Sequence, residues 1–188
     1  MANLTERQLF SLESVKMILY RRCDKILGVN FADLDVFYQR SSVVLKLYLF
    51  RNSKLSKLVT DEVSGVMKDF CPSLNYSLHF SLVSNEKNYP KYYFVLFYNK
   101  YVLNKVPAFS VLTRLQRLVL PDTVLGLSIR VRGKRGARKD MKSLVVGDVS
   151  KHSLVKGKLR RYEGRIETPM GTTGVLVTLM MKNHEHRE

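Results

Sequence analysis

Ser53-Lys-Leu-Ser-Lys-Leu-Val-Thr-Asp-Glu-Val-Ser-Gly-Val-Met-Lys-Asp-Phe70 runs, across Cys71-Pro72, into Leu74-Asn-Tyr-Ser-Leu-His-Phe-Ser-Leu82. In the first stretch Leu55, Leu58, Val59, Val63, Val66, Met67 and Phe70 recur with the 3.6 period of an amphipathic helix. In the second, Leu74, Tyr76, Leu78, Phe80 and Leu82 alternate with Asn75, Ser77, His79 and Ser81, the period of a half-buried strand. The change of period falls at Cys71-Pro72, because the proline ring disfavours helical backbone at the residue before it. A helix handing over directly to a strand of this kind predicts an α+β chain.

Upstream, Thr5 and Gln8 have the spacing of a capping box, with Leu4 and Leu9 at the staple positions. Leu12, Val15, Ile18 and Leu19 continue that helix to about Lys25. Two strand-like runs follow: Leu34-Asp-Val-Phe-Tyr38, with Leu34, Val36 and Tyr38 on one face, and Ser42–Phe50, joined tightly at Arg40-Ser41. The first segment therefore reads helix–strand–strand–helix–strand, and Ser84-Asn-Glu-Lys-Asn88 is the domain boundary. This gives a first domain over 1–88 and a second over 89–188.

Downstream, an aromatic run from Tyr92 to Tyr98 precedes a helix predicted from about Pro107 to Leu120, stopped by Pro121-Asp122. Val111, Leu112, Leu115, Leu118 and Val119 would face its core. Leu127, Ile129 and Val131 alternate with Ser128, Arg130 and Arg132 in a strand, and a cationic loop continues from Gly133. Two closing strands, near Leu159–Thr168 and Gly174–Met181, are joined by Pro169-Met-Gly171. The tail His184–Glu188 is expected to fray.

With 45% apolar and 26% charged residues over 188 positions, the chain can bury a core, which excludes wholesale disorder. The seven-residue apolar run Tyr92–Tyr98 is far short of the ~20 residues of a membrane-spanning helix. Glu6 and Glu13 near the start, without an apolar core region, do not fit a secretory signal, and they are too acidic for a good transit peptide. Cys23 and Cys71 lack metal-type spacing and are expected to be free core thiols of a reducing compartment.

The charge is uneven. Residues 95–188 carry 19 basic and 7 acidic side chains, net +12, whereas residues 1–94 carry 13 and 9, net +4. Between Gly126 and Arg165 there are 13 basic and 3 acidic residues. Arg130 and Arg132 leave one strand face; Lys134, Arg135, Arg138, Lys139 and Lys142 extend it along the loop; Lys156, Lys158, Arg160, Arg161 and Arg165 add a second rank. Such an array fits a polyanion, since neutralised phosphates release condensed counterions. Arginine forks and lysine points at several heights suit a folded RNA backbone. The chain carries no helix-turn-helix, zinc finger or basic zipper to enter a DNA groove, so RNA is favoured.

Tyr92, Tyr93, Phe94, Phe97, Tyr98 and Tyr101 could stack bases, but without interleaved Gly and Lys they read better as core filling. Gly171-Thr-Thr-Gly174 formally matches the GxxG loop of KH modules. It leads straight into the apolar strand Val175–Leu179, so a tight turn with glycine at positive φ explains it better. On that reading Gly174→Asp should disrupt the fold. The first segment has no glycine between Gly28 and Gly65. None of His79, His152, His184 and His186 stands with a nucleophile and carboxylate at a recognisable spacing, and there is no P-loop or dinucleotide fingerprint. The residues thus indicate no enzyme, no cofactor, no metal site and no small-molecule substrate.

The second half resembles the C-terminal domain of the S-three family of small-subunit ribosomal proteins. Gly126-Leu-Ser-Ile-Arg-Val-Arg-Gly133-Lys134 is similar to that family's Gly-Ile-Lys-Val-x-Val-Ser-Gly-Arg. Thr168-Pro-Met-Gly171-Thr-Thr-Gly174-Val-Leu-Val-Thr-Leu179 is similar to its Thr-Thr-Tyr-Gly-x-x-Gly-Val-Lys-Val-Trp-Ile, at a family-like separation. The resemblance implies a degenerate KH-like domain over 1–88, followed by an α/β C-terminal domain with a mostly antiparallel sheet. Gly126, Gly133, Gly171 and Gly174 are its structural turn positions. It implies a structural constituent of the small-subunit head that binds small-subunit rRNA, lies beside the channel where mRNA enters, touches neighbouring head proteins and needs no membrane.

The chain departs from the family in lacking the GxxG loop and one helix in the first half. Phe109, Ser110 and Thr113 stand where basic residues are usual, leaving Lys105, Arg114 and Arg117 on the mRNA side. Such erosion suggests a mitochondrial, organelle-encoded version and a first half that docks protein rather than clamping RNA. A free-standing RNA-processing or nucleic-acid cleaving enzyme is the alternative, distinguished by the absence of stoichiometric association with the small subunit.

Overall fold

The computed structural model describes residues 6–39, 42–51, 54–135, 138–149, 157–169 and 171–182, and divides into two compact units, 1–84 and 85–188. The division lies at the start of the Ser84–Asn88 segment expected to separate domains. Thr5 of the capping box, Leu4 of the staple and the tail from 183 lie outside the described residues, as do the side chains of Gln8 and Leu9.

In the first unit α1 (Glu6–Leu27) precedes β1 (Phe31–Tyr38) and β2 (Ser42–Leu49), then α2 (Ser56–Phe70) and β3 (Asn75–Leu82). β1 pairs antiparallel with β2, and β2 pairs parallel with β3, which α2 makes possible as the crossover. Gln39 and Ser42 exchange backbone hydrogen bonds (2.9 and 3.4 Å) at the end of the β1–β2 pair, while Arg40-Ser41, the expected tight connection, lies outside the described residues. Val15, Leu19, Cys23 and Leu27 recur every four residues on α1, and with Val59, Val63, Val66 and Met67 of α2 they bury the inner face of the sheet. Both cysteines are free and buried.

Three members of the predicted α2 stripe do not reach this core: Leu55, Leu58 and Phe70 are exposed. Leu55 precedes the helix, Leu58 lies a step off the 59–63–66 line, and Phe70 ends it. Phe80 and Leu82 share the inner parity of Tyr76 and Leu78, yet they are exposed because β3 is the sheet's edge.

The second unit is an antiparallel four-stranded sheet in the order β5-β4-β7-β6, formed by β4 (Val124–Arg135), β5 (Arg138–Gly147), β6 (Gly157–Thr168) and β7 (Gly171–Lys182). One face is covered by α3 (Pro90–Tyr98), which packs on β6 and β7, and by α4 (Ala108–Leu115), which packs on β5. A five-residue π-helix, Asn99–Leu103, joins them, with Asn104 N–H donating to the Asn99 carbonyl at 3.1 Å. Leu127, Ile129 and Val131 of β4 and Val175, Val177 and Leu179 of β7 form the core beneath Tyr93, Phe97, Val111 and Leu115. The aromatic run is therefore core filling: Tyr93 and Phe97 are fully buried, and Tyr92, Phe94, Tyr98 and Tyr101 pack against that core.

Two expectations are corrected. The cationic stretch after Gly133 is not a loop but the paired ends of β4 and β5, in register from Gly126↔Gly147 to Arg135↔Arg138. The charge density of Arg138–Lys142 hides the strand period there, and pairing with β4 supplies the stability. The helix expected to reach Leu120 stops at Leu115. The Arg117 and Leu118 amides then bond three residues back, to Arg114 and Leu115, in a tightened last turn, and Val119 is exposed. The described residues form a mixed α+β structure with two sheets, mostly antiparallel.

Candidate nucleic-acid interface

Within the second unit α3 and α4 cover one face of the sheet, and strand alternation decides which side chains stand on the other; on that other face Ser128 and Met180 are buried. The register aligns them in rows. Met141, Arg132, Gly174 and Arg165 form one row; Ser143, Arg130, Leu176 and Glu163 the next; Val145, Ser128, Thr178 and Arg161 the third. Arg130, Arg132, Arg161 and Arg165 are all exposed, with Glu163 the acidic side chain among them. With strands about 4.8 Å apart, the Cα atoms of Arg132 and Arg165 lie about 10 Å apart across Gly174. The rows bring together two ranks that sequence separates by 29 to 35 positions. Exposed Met141 and Val145 add apolar surface at the β5 edge.

The remaining candidates do not join this face. Lys142 pairs with Val131, so it lies on the helix-covered side, where its Nζ is 5.1 Å from the centroid of the Phe109 ring. Arg160 pairs with Leu179 on that same side, and its guanidinium lies 4.8 Å from the Tyr89 ring. Beside it, buried Lys91 holds its Nζ 5.3 Å from the Tyr162 ring. These two cation–π contacts tie the start of α3 to β6. Lys158 pairs with Met181, again on the covered side, though it is exposed. The backbone places Lys134, Arg135, Arg138 and Lys139 in the paired hairpin ends, while their side chains lie outside the described residues, as does Lys156 altogether. The expected twelve-residue array is thus divided by strand parity, which a loop assignment could not have shown.

The glycines divide as well. A Cβ on Gly126 would strike the Asp148 backbone, 2.6 Å from its carbonyl carbon and 2.8 Å from its nitrogen, and one on Gly133 would lie 2.9 Å from Thr173 Oγ1. Gly171 has φ +120°, a conformation that favours glycine. Gly174 corrects the expectation of a strained turn. It lies inside β7, not at positive φ, and a Cβ there would find only the Arg132 carbonyl oxygen, at 3.8 Å. It leaves the space between Arg132 and Arg165 open. Two close approaches went unread in the sequence: Gly164 beneath the Phe94 ring and Gly147, at φ +72°, against Leu125.

Of the mRNA-side candidates, Arg114 and Arg117 are exposed at the end of α4, and Lys105 lies in the loop before it, at φ 52°. Lys105 borders a cleft of about 570 Å³ between the π-helix, the start of α4 and the hairpin ends of the sheet. His79 is exposed on β3, and His152, His184 and His186 lie outside the described residues. No cluster of three or more His, Cys, Asp or Glu suited to a metal occurs among the described residues, and no helix there is long and apolar enough to cross a membrane. No protein-family model and no curated protein sequence matches the chain.

Proposed function

We propose that the protein is a structural component of a small ribosomal subunit and binds small-subunit rRNA through the open face of its four-stranded sheet. The observation that carries this reading is the convergence of Arg130, Arg132, Arg161 and Arg165 on one exposed face, two of them flanking a glycine. A sheet face bearing arginine forks meets backbone phosphates without needing a groove to enter, which favours folded RNA over a DNA duplex. The resemblance to the S-three family supplies the setting: the subunit head of a mitochondrial ribosome, Lys105, Arg114 and Arg117 toward incoming mRNA, and neighbouring head proteins as further partners. The first unit, with a KH-like order of elements and a net charge of only +4 over residues 1–94, serves as a protein-docking module.

Gradient sedimentation of lysate from the source cells tests the assignment: one copy per small subunit is expected, and a protein found mainly unbound refutes it. In isolation, four phosphate contacts predict that RNA affinity falls roughly 50- to 150-fold between 50 and 200 mM salt. Replacing Arg130, Arg132, Arg161 and Arg165 by Glu should abolish that dependence with little change in stability, as exposed charge changes generally do. A folded quadruple variant that binds RNA as tightly as the parent places the interface elsewhere.

A further inference from the structure

The cleft beside Lys105 is built from features that the sheet-face reading does not use. Its walls are mainly apolar and aromatic, with Tyr101 and Val102 on the π-helix, Phe109 on α4 and Val131 on β4. π-Helical turns are rare and concentrate at functional sites. Here the widened turn lays Tyr101 in a stack on fully buried Phe97, at 5.4 Å between centroids and 28° between planes. Phe109 is 63% exposed although it belongs to a helix packed on the core. Two ammonium groups border the same space, Lys142 over the Phe109 ring and Lys105, against one carboxylate, Glu167. Lys105 is the one non-glycine residue at positive φ among the described residues, a strained conformation that persists where surroundings or function hold it.

A volume of about 570 Å³ falls within the range of small-molecule sites, and this one offers flat aromatic faces next to positive charge. That combination is complementary to a nucleotide, whose base is flat and apolar on its faces and whose phosphate is anionic. The cleft lies at the hairpin-tip end of the sheet, beside Gly133 and Thr173, next along the chain from Arg132 and Gly174 of the arginine row. We infer that the cleft receives one unstacked nucleotide of the bound RNA, its base on Phe109 and Tyr101 and its phosphate between Lys105 and Lys142. The inference rests on the RNA-binding reading and adds to it a site that holds a base.

Binding of the full chain to a single-stranded RNA carrying 2-aminopurine at one position tests it, against the same strand with an abasic sugar there. The intact strand should bind roughly 5- to 160-fold more tightly, the span of one stacked base, with its fluorescence quenched. Phe109→Ala should remove both the preference and the quenching, while Phe109→Tyr keeps them. Because Phe109 is exposed, circular dichroism of the alanine variant should match the parent. Equal, salt-dependent binding of both strands to the parent, or a preference that survives Phe109→Ala, overturns the nucleotide site and leaves the sheet-face reading standing. Failure to bind either strand at 50 mM salt overturns the RNA reading, and this site with it.

Discussion

Replacing Gly126 or Gly174 by alanine makes the same chemical change in two neighbouring strands of one sheet, and the structure assigns the two substitutions opposite outcomes. At Gly126 the added methyl would lie 2.6 Å from the Asp148 carbonyl carbon and 2.8 Å from its nitrogen, where carbon contacts settle near 3.5–4.0 Å. Both sides are backbone, so relief needs a main-chain shift of roughly 1 Å. Overpacking of that order costs about 1–3 kcal/mol. The same shift disturbs the hydrogen bond from Asp148 N–H to the Leu125 carbonyl (3.0 Å), worth about 1 kcal/mol more. Alanine returns about 0.5–1 kcal/mol by restricting the unfolded chain. The net loss is about 1–3.5 kcal/mol, or roughly 5–25 °C in Tm for a unit of this size. At Gly174 the methyl finds its nearest neighbour at 3.8 Å and no positive φ, so only the favourable entropy term remains. Gly174→Ala should leave stability unchanged or raise it by up to about 1 kcal/mol. Urea unfolding followed by tyrosine fluorescence suits a chain with ten tyrosines and no tryptophan. A Gly126→Ala midpoint within about 0.5 kcal/mol of the parent, or a Gly174→Ala loss above about 1 kcal/mol, would refute the reasoning.

Gly174→Asp should likewise fold, but its carboxylate would stand between Arg132 and Arg165 and lower RNA affinity about tenfold, the effect of removing one to two kcal/mol of phosphate attraction; loss of soluble protein instead would restore a structural role for this glycine. Burial, reinforced by Glu62 and Asp24, pushes the Cys23 thiol up to about 12. The unfolded chain therefore loses this proton first, and the stabilisation, complete below about pH 9, should decline by about 1.4 kcal/mol per pH unit above it. Cys23→Ala should abolish the Cys23 contribution to that slope in urea titrations between pH 8.5 and 10, and an unaltered slope would exclude the thiol as its source. Lys105→Gly should raise Tm by relieving the positive φ, yet weaken RNA binding by removing a cation from the cleft; a variant that gains stability and keeps full affinity would show that the strain serves no ligand. The exposed Arg22–Glu62 ion pair between α1 and α2 should contribute under about 1 kcal/mol, so Arg22→Ala should barely move the urea midpoint.

Much of the local architecture is legible in the chain itself. Val59, Val63, Val66 and Met67 announce a helix and Tyr76 and Leu78 a strand, because burial of one face imposes a period that needs no knowledge of the partner. The division near Ser84, the free core cysteines, the core role of Tyr93 and Phe97 and the excess of cations in the second half were readable in the same way. Proline and tight-turn chemistry placed the breaks at Cys71-Pro72 and between Gln39 and Ser42 because these signals act within a few residues.

Pairing across the chain decided the rest. Residues 138–147 form a strand because β4 offers a hydrogen-bonding edge, although their own charges mask the alternation. Which cations share a surface then follows from register: a one-residue difference in parity sends Arg130, Arg132, Arg161 and Arg165 to the open face and Lys142 and Arg160 to the covered one. Gly126, Gly164 and Gly174 look alike in sequence and differ only in what lies opposite, respectively the Asp148 backbone, the Phe94 ring and open space between two arginines. The cleft between the π-helix and the hairpin ends is likewise a product of packing, since the residues that line it come from five separated segments. Composition and period report what each segment buries. Only the folded register determines which neighbours it meets, because strand parity and close approach are set by contacts between residues far apart in the chain.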